Sequence, residues 1–360
     1  MIYNDNQRSV YQGKKLTVEI FGASHGPEIG VKVKGFEKHD IDLDKLDAFM
    51  DRRRAKKTSY STKRLEGDKI IVKSGLTDGK LDGELFEGVI KNSEQRSSDY
   101  EKTLKIPRPS HADYVAWSKY GDGFDHRGGG KFSGRLTAPM CIAGGICKQL
   151  LEEKGIKIHA YISAIANITA KGYADGVDEK VLENIPTEFP LLDDSRKSEM
   201  QAIIEDARMN LDSVGGKIEC VITGVPVGTG EYMFDSIESV ISRLAFAVPA
   251  VKGIEFGAGF KISEMKGSVA NDPFYYDQGV VKTKTNNNGG INGGIANGMP
   301  ITFRVAVKPT PSIGQEQDTV DMTEKTNVKL KIGGRHDACI VPRAVPVIEA
   351  IAAIAIYDMI

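Results

Sequence analysis

The 360-residue sequence has one tryptophan and four cysteines, Cys141, Cys147, Cys220 and Cys339, none in a CxxC pair and none grouped with histidine at zinc spacing. That scarcity argues against a disulfide framework and a structural metal, and reduced thiols fit a cytoplasmic protein. Net charge is nearly absent too. The 48 basic and 49 acidic side chains leave a formal charge of -1, so no global field draws the chain to nucleic acid or an anionic membrane. Long apolar runs are missing. The N-terminal MIYNDNQRSVYQGKK lacks the hydrophobic stretch of a signal peptide, and the C-terminal VPVIEAIAAIAIYDMI is too short for a span and carries Glu349 and Asp358. No Pro/Ser-rich linker divides the chain, so one continuous domain over residues 1–360 is the expectation.

Glycine is plentiful: 39 residues, roughly 11% against an average of about 7%. A 40% hydrophobic content argues against disorder as the reason. Short alternating or apolar runs at 16–21, 70–73, 156–162, 217–222 and 301–307 predict strands. Helical spacing predicts helices over 42–54, 134–154, 198–212, 236–248 and 341–359, giving an α/β (α+β) mixture. Two of these, 134–154 and 341–359, are apolar nearly all round and predict helices buried inside a sandwich. Each starts with an arginine followed shortly by proline, Arg135 and Pro139 in one, Arg343 and Pro346 in the other, which suggests an internal duplication.

Glycine clusters at 121–135, 215–230, 252–260 and 286–298 offer backbone amides to an anion, although tight turns explain any one of them equally well. The standard nucleotide fingerprints fail: a Walker loop ending at Gly130-Lys131 meets Asp125 and Phe132, and both GxG pairs lack their third glycine. FGASHG places Ser24 in a G-x-S-x-G string, but an alternating run rather than a helix follows, which disfavours a hydrolase elbow and leaves His25 as the candidate group. RPSHADY sets Arg108 and His111 before a helix beginning near Ala112, with Ser110 as its expected cap, and GGRHDACIVPR groups Arg335, His336 and Asp337. The basic run 51–64 would ordinarily be a solvated helix face or a nucleic-acid contact, but the neutral total charge and lack of aromatic clusters disfavour nucleic acid, while guanidinium forks suit phosphate and carboxylate oxygens. Together these point to acid–base chemistry on a polyanionic small molecule. A non-catalytic flavin or nucleotide binder and a serine hydrolase using Ser24 remain alternatives.

The ordered set FGASHG, RPSHADY, HRGGGKFSGRLTAP, VPAVKGIEFG, NNNGGINGGIANG, VKPTPSI and GGRHDACIVPRAVPVIEA resembles the chorismate synthase family from about residue 13 to the C-terminus. The resemblance implies a single-domain β-α-β sandwich with helices packed between antiparallel sheets, assembled as a homotetramer in the cytoplasm. It implies a carbon–oxygen lyase that converts 5-enolpyruvylshikimate 3-phosphate to chorismate with reduced FMN, NADPH being a possible reductant, and with neither nucleic acid nor membrane as partner. By the same resemblance His25 protonates the leaving phosphate, His111 protonates reduced flavin, and Asp337 relays a proton. Arg53, Arg108 and Arg135 surround the substrate anions. Flavin contacts come from Lys131, Phe132, Ser133, Pro249, Ala250, Gly293, Lys308, Pro309, Thr310, Pro311, Ser312 and Arg335. The sequence departs from the common family pattern at Ala23, Ala55-Lys56, Ser59, His126 and Lys131-Phe132.

Overall fold

The alternating segments pair into two five-stranded antiparallel sheets in the computed structural model, which describes residues 9–55, 67–92, 105–121, 127–333 and 337–360. The first sheet contains β1 (Ser9–Gln12), β2 (Thr17–Gly22), β3 (Glu28–Lys34), β4 (Ile71–Ser74) and β5 (Phe86–Lys91), in the order β1-β2-β3-β5-β4. The second contains β6 (Lys157–Ile165), β7 (Ile168–Thr169), β8 (Gly216–Thr223), β9 (Val251–Phe256) and β10 (Ile301–Val307), in the order β7-β6-β8-β10-β9. Alternation sets the buried face of each sheet. Val18, Ile20, Val31 and Val33 line one side of the core; Ile158, Ala160, Cys220 and Phe303 line the other.

Between the sheets lie α1 (Leu43–Arg53), α3 (Thr137–Glu152), α5 (Ile237–Ala247) and α6 (Val341–Met359). Outside this layer are α2 (Asp113–Tyr120) and α4 (Lys197–Met209). α3 packs on the first sheet, α6 on the second, and the two pack on each other. Their all-round apolar character is thereby used, since nearly every residue from Val345 to Asp358 is buried. The crossing is close because Gly144 faces Ala350; a Cβ on Gly144 would overlap the Ala350 backbone. All four cysteines are buried and free.

The duplication suggested by the two arginines has a counterpart in the topology. Setting aside the edge strands β1 and β7, the outer helices α2 and α4 and the shorter elements, the first half runs β2, β3, α1, β4, β5, α3, and the second β6, β8, α5, β9, β10, α6. Both halves order their four strands alike, the helix after the second strand is capped by a side chain (Asp42 in one, Ser236 in the other), and the closing helix enters the core. The second half differs by a long excursion between β6 and β8 that includes α4 and buries Tyr161 and Val221 on the outer sheet face.

Three expectations change. Several glycines bring protein backbone against protein backbone: a Cβ on Gly216 would overlap the Ala164 carbonyl, and one on Gly257 would overlap Asn287. Ser110 does not cap α2. It sits at φ 58, and the N-cap position belongs to Ala112, with no side-chain cap bond. The described arginines of the basic run do not form a solvated helix face: Arg52 pairs with Glu349, Arg53 with Asp68, and Arg54 with Asp47 and Asp51. Among the described residues no helix is long and apolar enough to cross a membrane.

Candidate active site

β2 ends at Gly22, whose φ of 90 and close approach to the Glu28 carbonyl exclude a side chain there. A tight turn follows, closed by Gly26 N–H donating to Ala23 O at 2.9 Å, and β3 begins directly after it. Ser24 therefore sits between two strands. The strand-to-helix setting of a nucleophile elbow is absent, while His25 is held at the turn with 4% exposure. Ser24 N–H donates to Gly130 O at 3.3 Å, tying this turn to the glycine-rich segment before α3.

The second histidine is built into the start of α2. Asp113 Oδ1 lies 2.6 Å from His111 Nδ1 and accepts from Arg108 Nη2 at 2.8 Å, while its Oδ2 accepts from Arg108 Nε at 2.7 Å and Arg108 N at 3.0 Å. A carboxylate only accepts, so the His111 contact places the proton on Nδ1 and leaves Nε2 to exchange protons. Burial works to raise the Asp113 carboxyl, but hydrogen bonds from Arg108 and His111 outweigh it and hold it well below the usual carboxylate range. Gly129 faces the other edge of the ring: a Cβ there would stand 3.4 Å from His111 Cε1 and Nε2.

Arg108 also joins the two halves, donating from Nη1 to Ser312 Oγ at 3.1 Å. Lys308 Nζ donates to Ser110 O at 2.6 Å, and Lys308 N–H donates to the carbonyl of Ala250, itself at an unusual φ of 74. Burial lowers the pKa of Lys131 and, together with the charge of Lys252, that of Lys308. Thr310 accepts from Ser213 Oγ through its carbonyl, while its buried Oγ1 has no hydrogen-bond partner among the described residues. Neighbouring Val214 N–H donates to Ala338 O, which draws the Asp337 segment alongside.

A carboxylate that the sequence reading did not single out organises the remaining arginines. Asp68, on a side chain 1% exposed, bridges Arg53 Nη1 at 3.0 Å and Arg135 Nη1. Arg53 further donates to Thr137 Oγ1 and the Gly134 carbonyl; burial, then the nearby Arg343 charge, lowers it to about 10, still protonated at neutral pH. Arg343 donates to the Arg53 carbonyl at 3.2 Å and to Asp337 Oδ2 at 2.6 Å. Arg135 Nε donates to Asn92, and Asn92 holds the His25 turn.

Contacts and chain adjacency thus form a circuit: the His25 turn, Asn92, Arg135, Asp68, Arg53, Arg343, Asp337, then through residues 213–214 to Thr310, Ser312, Arg108 and His111, with Gly129 beside the His111 ring and Gly130 bonded back to Ser24. Ser133 caps the short turn that delivers Arg135, with Phe132 exposed beside it. Pro249 precedes Ala250, and Pro309 and Pro311 flank Thr310. Gly293 lies apart. Its hairpin is bonded to the N-terminal side of α5, Ile237 N–H donating to Gly294 O, whereas Ala250 follows the C-terminus of that helix, about 16 Å away along its axis. Arg335, Lys56, Ser59 and His126 lie outside the described residues. Asp113 had a sequence signal, an acid two residues after a histidine at a helix start. Arg343 closes the same GGRHDACIVPR string as its partner Asp337, where it signals only duplication; Asp68 and Asn92 had no signal, because their partners are remote in sequence or belong to the backbone.

The described contacts bring titratable side chains and clustered arginines together at the junction of the two halves. The family model described as Chorismate synthase matches residues 16–360, and the chain belongs to that family, whose members are lyases acting on phosphates. Curated relatives named "Chorismate synthase" include one from Dehalococcoides mccartyi, 42% identical with 96% of this chain and 95% of the relative covered. Another from Korarchaeum cryptofilum is 41% identical over 97% and 96%, and one from Thermococcus gammatolerans 42% over 96% of each. A solved structure titled "Crystal Structure of Chorismate Synthase" superposes with a TM-score of 0.75 at 24% identity, covering 97% of this chain and 92% of that one, and supports the sandwich fold.

Proposed function

We infer that this chain converts 5-enolpyruvylshikimate 3-phosphate to chorismate and inorganic phosphate, a 1,4-anti elimination in the shikimate pathway. The observation that supports the reading is the circuit of contacts, which links both histidines, Arg53, Arg108, Arg135, Arg343 and Asp337 from segments far apart in sequence. Elimination expels a phosphate and removes a ring hydrogen that ordinary side chains do not abstract easily. Reduced FMN, when bound, supplies electron density transiently without net redox change. The buried, unpartnered Thr310 hydroxyl and the desolvated amines of Lys131 and Lys308 fit such an anionic, hydrogen-bonding group.

The remaining work falls to the chain itself. Arg135, Arg53 and Arg108 hold the substrate's phosphate and carboxylates, their planar forks fixed by Asp68 and Asp113 before any ligand arrives. His25 delivers a proton to the departing phosphate. His111, with Nδ1–H committed to Asp113, would donate or accept a proton at Nε2, and Asp337, steadied by Arg343, would serve as a proton acceptor. NADPH as reductant, a cytoplasmic location and assembly as a homotetramer belong to the same reading. Exposed aromatics support self-association: Phe274 and Tyr276 on one hairpin, with Phe234 at 91% exposure.

Anaerobic incubation with reduced FMN and the enolpyruvyl substrate is expected to release phosphate and form chorismate. Flavin binding without phosphate release from folded protein would overturn the reading in favour of a non-catalytic flavin binder. Anaerobic oxidation of NADPH by the FMN-loaded protein tests whether it reduces its own cofactor.

A further inference from the structure

We infer that Asn92 is a positioning residue that aims His25 by locking its turn to the Arg135 guanidinium. Asn92 follows the last residue of β5 and uses both ends of its carboxamide. Nδ2 donates to Ala23 O at 3.1 Å and to Gly26 O at 2.8 Å, the two carbonyls that bracket Ser24 and His25. Oδ1 accepts from Arg135 Nε at 3.2 Å, and the Asn92 backbone N–H donates to Pro27 O at 3.1 Å. Only a carboxamide of this length offers a forked donor on one side and an acceptor on the other.

Because the carbonyls on either side of the Ser24-His25 pair are bonded to one side chain, the turn cannot rotate without displacing the carboxamide that also accepts from Arg135. The proton donor and the phosphate-holding cation thus share one reference point, which rests on the roles given to them under Proposed function. Arg135 keeps Asp68 as a second anchor, so loss of Asn92 disturbs the His25 turn more than the cation.

The test uses the full-length, FMN-loaded enzyme with Asn92→Ala and the isosteric Asn92→Asp, which presents acceptors to the turn carbonyls instead of donors. For Asn92→Ala, kcat is expected to fall about thirtyfold, the scale of a reacting group misplaced by a fraction of an ångström. Its KM is expected to stay within about threefold, because Arg135 remains paired. In the flavin-free protein the His25 ring signals, assigned by NMR from their loss in His25→Gln, are expected to move or broaden in both variants. A folded variant with unchanged kcat and unchanged His25 signals overturns the inference, as does a rate loss that follows thermal stability alone while those signals stay in place. If the unmodified enzyme forms no chorismate, the functional reading fails, and the His25 signals alone decide the role of Asn92.

Discussion

Asp113 carries more of the site than its place in the sequence suggests. One carboxylate fixes the tautomer of His111 and holds the Arg108 guanidinium at two of its nitrogens. Asp113→Asn keeps the shape but removes the charge and presents an amide hydrogen toward either partner. We expect kcat to drop by at least about tenfold in a protein that remains folded, with an altered pH–rate profile; an unchanged profile would assign Asp113 to folding alone. At this scale the sequence was half legible. His25, His111 and the arginines stand in motifs that announce them, because chemistry needs those residue types. Asp68 and Asn92 answer to partners 67 and 43 residues away through Arg135, and no local pattern encodes such a meeting.

Helices and strands were far easier to read. The runs at 217–222 and 301–307 became β8 and β10 almost unchanged, since both are short, rich in β-branched residues and largely buried. The two apolar helices were recognisable for the complementary reason, having no solvent face. What their composition did not reveal was the close approach at Gly144. Gly144→Ala would press a methyl against the Ala350 backbone, which has no rotamer to escape into, and should cost about 1–3 kcal/mol, read as a lower Tm. The same helix layer buries Glu349 among Arg52, Lys148 and Ala160 N–H. Burial works to raise the Glu349 carboxyl, but the charges of Arg52 and Lys148 outweigh it and depress it far below its unfolded value. Its stabilisation is therefore complete above the unfolded carboxylate range, near pH 4, and is lost as pH falls toward the folded pKa. Denaturant unfolding should show the stability gap between the natural protein and Glu349→Gln narrowing from pH 5 to pH 3. A constant gap would mean that the charge contributes nothing.

Across the molecule, buried side chains from both sheets and the intervening helices form one contiguous core. We expect a single calorimetric transition, with calorimetric and van't Hoff enthalpies equal; two resolved transitions would divide the chain into separate domains. The order of the halves was only hinted at by Arg135 and Arg343, because like topology need not leave like residues. C-terminal packing was hidden as well. Asp358 accepts from Lys14, Lys15 and Leu16 N–H and from Tyr11 Oη, clasping the first hairpin across Gly13, whose missing side chain leaves room for the carboxylate. The like halves also restrict how the protein can change by descent. His25, Arg53, Arg108, His111 and Arg135 come from the first, Ala250, Lys308, Thr310, Ser312 and Asp337 from the second, and the circuit crosses between them at Arg343 to Arg53 and at Arg108 to Ser312. Neither half can be lost, exchanged or replaced alone, so variation in length is steered to places outside the circuit, as the excursion between β6 and β8 already illustrates.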